Sequence, residues 1–105
     1  MTEEQEQQLI RETNRGAKAS QLLRSEIYVE AMRKVEDGIT QSWKDSPIRD
    51  TEGQQYLRLM MKVLKDLQAH IKDVAETGRM ADVQLAQERS LAERARSAVK
   101  AFKRA

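Results

Sequence analysis

Read from its residues alone, this chain should be all-α: a long antiparallel helical hairpin with coiled-coil-like packing. Three features point there. Its 105 residues hold only four glycines and one proline, too few for the turns of a β-sandwich or barrel. Apolar residues recur at helical spacing along most of the chain. One stretch, residues 44–51 (Lys-Asp-Ser-Pro-Ile-Arg-Asp-Thr), clearly interrupts that spacing.

The first helix is expected over about 3–44. Thr2 followed by Gln5 has the form of a capping box, with acids in the first turn. Gly16 and Gly38 are its only strong propensity faults. Its apolar face is clearest at Leu23, Ile27, Ala31, Val35 and Ile39, broadened by Tyr28, Met32 and Trp43. Of these, Leu23, Ile27, Val35, Ile39 and Trp43 are the expected hairpin-packing residues. Before Leu23 the stripe thins, so the first dozen residues should be frayed or ordered only by a partner. A loop follows at 45–51. Pro47 removes a helical hydrogen bond and pushes Ser46 towards extended geometry. Asp50 or Thr51 can cap the next helix, and Thr51 with Gln54 repeats the capping-box spacing.

The second helix is expected over about 52–102. Steps of three and four from Leu57 visit Met60, Leu64, Leu67, Ile71, Val74, Gly78, Ala81, Leu85, Glu88, Ala92, Ala95, Val99 and Phe102. All but Gly78 and Glu88 are apolar, which makes an a/d seam. Tyr56, Val63 and His70 form a flanking row. Gly78 leaves two readings open. Thr77-Gly78 could end a helix with a left-handed cap. Alternatively one helix runs through, bent or not, at a cost of about 1 kcal/mol for glycine. The unbroken phase of the seam favours continuity.

Composition narrows the possible functions. Without cysteine there is no disulfide framework, thiolate nucleophile or Cys-ligated metal. No apolar run reaches a bilayer-spanning length, and the amino terminus is acidic and polar, unlike a signal peptide. The expectation is a soluble intracellular chain with no membrane role. The net charge of +2 conceals an asymmetry. Glu3, Glu4, Glu6 and Glu12 crowd the start, whereas Arg94, Arg96, Lys100, Lys103 and Arg104 end the chain with no acid among them. Helix-dipole complementarity accounts for both runs. The functional alternative is a basic tail over 94–105 that touches a DNA backbone or an acidic partner.

Few residues could support catalysis. His70 is the only histidine, with Asp66 four residues before it and Asp73 three after. No Ser or Cys stands at helical spacing to act as nucleophile. One His with two Asp on a solvent edge is poor zinc chemistry. The four glycines are isolated, so no phosphate-binding loop exists. No enzymatic activity, metal or cofactor is expected. Packing points elsewhere. A lone two-helix hairpin has one shallow interface and struggles to bury enough surface. The seam (Leu57, Met60, Leu64, Leu67, Ile71, Val74, Leu85 and Val99) is therefore expected to serve both the core and a homo-oligomer.

Several stretches together resemble short all-helical proteins of tailed bacteriophages, encoded among head and DNA-packaging genes. They are Ala19-Ser20-Gln21-Leu22-Leu23, Ala31 to Trp43 ending in Gln41-Ser42-Trp43, and Ser46-Pro47 through Asp50-Thr51-Glu52. The Leu57 to Ile71 stripe and Glu76-Thr77-Gly78 complete the pattern, which covers about residues 17–85. The resemblance implies an oligomeric packaging or assembly component akin to the small terminase subunit. Its partners would be a large packaging subunit or portal, in the host cytoplasm or the virion. The chain departs from many small terminases in having no amino-terminal helix-turn-helix. Any DNA contact would then fall to the basic tail, and no functional residue carries over.

Overall fold

The structure, a computed structural model, describes residues 1–104. Three helices account for nearly all of them: α1 (Glu3–Arg24), α2 (Glu26–Asp45) and α3 (Thr51–Arg104). The fold is all-α, as the glycine and proline counts require.

The expected first helix over 3–44 is two helices, divided at Ser25. Ser25 has extended backbone (φ −64°, ψ 126°) and its hydroxyl accepts the Tyr28 N–H. The Ser25 N–H closes α1 on the Leu22 carbonyl at 3.0 Å, and its own carbonyl opens α2 by accepting from Val29 at 3.0 Å. A serine oxygen that satisfies an orphan N–H offers the backbone an alternative to continuing the helix. The first residues are helical as well, contrary to the frayed segment expected of them. The Thr2–Gln5 box forms reciprocally: Thr2 N–H donates to Gln5 Oε1 at 3.0 Å and Gln5 N–H to Thr2 Oγ1 at 3.1 Å.

Ser46 ends α2 in extended geometry, with its N–H and hydroxyl both donating to the Trp43 carbonyl. Asp50, of the two candidates, caps α3: Gly53 N–H donates to Asp50 Oδ1 at 2.9 Å. A Cβ on residue 53 would press on that carboxylate, a side-chain end that can shift. Gln54 is used differently from the expected box, since its side-chain amide donates to the Pro47 carbonyl at 3.1 Å. Asp50→Ala should cost about 1 kcal/mol by loss of this cap. A melting temperature lower by several degrees in circular dichroism is the expected result, and an unchanged one would deny the cap its role.

α3 runs uninterrupted through Gly78. Contacts group the chain into two units: residues 1–18 with 74–105, and residues 19–73. In the first, α1 lies antiparallel to the second half of α3. Gly16 and Gly78 are buried face to face, and a Cβ on either would overlap the other's Cα. Glycine at both positions lets the two backbones touch. Ala81 and Leu85, 2% and 4% exposed, extend this contact. Glu6 reaches Arg89 at 4.0 Å at its far end. Arg79 donates to the Glu76 carboxylate and holds that carboxyl below its ordinary range. The pair is exposed, so it adds little stability.

In the second unit, α2 lies antiparallel to the first half of α3. Ile39 and Leu64 are buried, with Ala19 from the end of α1. The half-buried residues Tyr28, Met32, Leu57, Met61, Gln68 and Ile71 continue the contact. The packed line on α3 therefore passes through Met61 and Gln68. Met60 and Leu67, which the heptad steps select, are exposed. A 3.6-residue helix accommodates several stripes of steps of three and four, and the partner helix chooses among them.

Candidate interaction surfaces

Two surfaces stand out, one in each unit. The first lies on the α2–α3 pair. On one flank of the packed line, Lys65 Nζ bridges to Glu36 Oε1 at 3.0 Å. Val29, Arg33 and Lys72 border a shallow cleft on that same flank. The opposite flank carries Ile27, Ala31, Val35 and Gly38 from α2, and Tyr56, Met60, Val63 and Leu67 from α3. Every one of these except Gly38 and Ala31 is a large apolar side chain, and all of those are exposed; Ile27 is 74% and Val63 67% accessible. Lys34, three residues after Ala31 and four before Gly38, shares that side of α2 and pairs with Glu30. Trp43, at the loop end, lines an open cleft with Thr40, Gln54, Leu57, Arg58 and Met61, on the side of the Glu36–Lys65 pair.

The second surface is the end of α3. The five bases Arg94, Arg96, Lys100, Lys103 and Arg104 lie on helix, and none makes an ion pair among the described residues. The acidic start of the chain meets α3 earlier, at Arg89, and leaves these bases free of it. From Leu91 onward every described residue is exposed, Phe102 at 84%. Leu91, Ala95, Ala98 and Phe102 recur at steps of four and three, so this segment is amphipathic as well as basic.

The expected hairpin residues divide unevenly. Ile39 is buried and Leu23 half-buried, while Ile27, Val35 and Trp43 face solvent. Of the seam, Leu64 and Leu85 are buried and Leu57, Ile71 and Val74 half-buried, while Met60, Leu67 and Val99 are exposed. Sequence reasoning missed the Gly16–Gly78 contact, although it marked both residues. Their pairing depends on the antiparallel register of α1 on α3, which no local pattern reveals.

His70 is exposed, and no three His, Cys, Asp or Glu side chains gather as a metal site among the described residues. No described helix is long and apolar enough to cross a membrane. Comparison with known proteins finds no family model, curated protein or solved structure that matches the chain.

Proposed function

We propose that the chain is a non-enzymatic, self-associating component of bacteriophage assembly or DNA packaging, of the small-terminase kind. The carrying observation is the imbalance between core and surface. Ala19, Ile39, Leu64, Ala81 and Leu85 are the buried hydrophobic residues among those described, while large apolar side chains on α2 and α3 stand exposed. Apolar surface of this kind favours association with more protein. The helical pattern resembling head and packaging proteins supports the phage setting, in the host cytoplasm or the virion. The basic end of α3 supplies the second contact, to a DNA backbone or to an acidic surface of a large packaging subunit or portal.

Deleting residues 94–105 should abolish binding to duplex DNA or to the acidic partner and leave the mass of the assembly unchanged. The deletion should spare the fold, because residues 94–104 are all exposed. Filter binding at two salt concentrations reads the DNA arm, since phosphate contacts weaken steeply with salt. An unchanged, salt-sensitive DNA affinity after the deletion would remove this segment from the mechanism.

The amphipathic character of the same segment favours a second reading, a protein–protein adaptor without DNA binding. A helix with Leu91, Ala95, Ala98 and Phe102 along one side suits a groove on a partner protein, with the bases at its rim. Absence of DNA binding by the full chain at low salt would select this reading.

A further inference from the structure

We propose that the groove on the Glu36–Lys65 side of the α2–α3 pair docks an acidic amphipathic helix of a partner protein. This site is separate from the basic end of α3. Its walls belong to the unit of residues 19–73. On the α3 wall, Arg58, Lys65 and Lys72 stand in one row, each seven residues from the next. On the α2 wall, Trp43, Glu36 and Val29 keep the same spacing in the opposite direction. The Glu36–Lys65 bridge ties the walls at the middle position. One cleft opens on each side of it: Trp43 and Arg58 line the first, Val29 and Lys72 the second. The groove is one arrangement made twice, about 21 Å apart along α3 at the helical rise per residue.

Charge and floor together select the occupant. Arg58 is the only charged residue lining the first cleft. In the second, Arg33 and Lys72 outnumber Asp37, because Glu36 is committed to Lys65. Arg33, Arg58 and Lys72 make no ion pair among the described residues. Free cations at both ends of the groove call for carboxylates or phosphates. The floor decides between these. Half-buried Leu57 and Met61 lie in the first cleft and half-buried Leu23 and Met32 in the second. A DNA backbone gains nothing from such a floor. An amphipathic helix sets apolar side chains on it and acids at the rim. Such a helix, laid along the pair, repeats its face every seven residues, in step with both walls. A second copy does not supply it. The acid-rich stretch from Glu3 to Glu12 is part of α1, which is already laid against the second half of α3.

Trp43 is the only tryptophan of the chain, so its fluorescence reads the first cleft directly. The probe is a synthetic helix of about three heptads, free of tryptophan and tyrosine, with leucine along one face and glutamate on both borders of that face. A control peptide carries lysine in place of each glutamate. Titrated into the full chain, the acidic peptide is expected to shift the Trp43 emission to the blue and to saturate, and the basic peptide to leave it unmoved. Arg58 and Lys72 are exposed, so Arg58→Glu with Lys72→Glu should keep the helicity in circular dichroism. That pair should weaken the acidic peptide by about tenfold or more, because like charges would then meet at both ends of the groove. Arg15→Glu with Lys34→Glu makes the same change in net charge away from the groove and should bind as the wild type does. The groove is overturned by any of four results: no saturable shift with the acidic peptide, equal shifts with both peptides, the same shift with duplex DNA, or equal weakening by the two double variants.

Discussion

Gly78→Val is expected to destabilise the fold by about 2–3 kcal/mol, the range for forcing extra carbons into a packed contact. The side chain would have to enter space held by the Gly16 backbone, and a Cβ alone would come within 2.8 Å of the Glu12 carbonyl. Neither neighbour is a flexible side-chain end that can swing away. Valine differs little from glycine in intrinsic helix preference on this scale, so the loss would report the contact. The expected readout is a lower melting temperature, with faster amide exchange over residues 3–18 of α1. A melting temperature at or above wild type would mean that α1 does not pack on α3 at this point.

Leu64→Ala and Leu67→Ala form the second test, because they separate two registers of the same helix. Leu64 is 8% exposed and Leu67 48%. Truncating a buried leucine costs about 2–5 kcal/mol through lost burial and the cavity left behind. Leu64→Ala should sit towards the lower part of that range, because Leu64 keeps 8% of its surface accessible. Leu67→Ala should change the stability of the single chain far less and act on association. Equal losses at both positions in urea unfolding, measured where the chain is dissociated, would restore the heptad seam as the packed line.

That pair also shows how far the sequence could be read. The helical class, the Thr2–Gln5 box, the Pro47 loop and the continuity of α3 across Gly78 follow from local chemistry, and local chemistry is visible in a chain. Ser25 divides α1 from α2 by a single side-chain acceptor, without the proline or glycine that usually announces a break. The choice between Leu67 and Gln68 for the packed line is a tertiary one. Gln68 loses on hydrophobicity but faces α2, and its neighbours Met61 and Ile71 fix that facing. The meaning of Gly78 changed in the same way. As a local signal it suggested a helix end or bend, and its use is a close approach to a glycine 62 residues earlier. The five bases at the end of α3 were legible as charge and, up to residue 102, as helix; their standing clear of the acidic start was not.

The central claim is that this chain buries its remaining apolar surface against copies of itself. The direct measurement is the mass of the wild-type protein by light scattering across a dilution series at moderate salt. The account predicts a mass that is a multiple of 12.1 kDa at micromolar concentration, falling only on strong dilution. A well-folded, highly helical protein holding at 12.1 kDa across the series would contradict it.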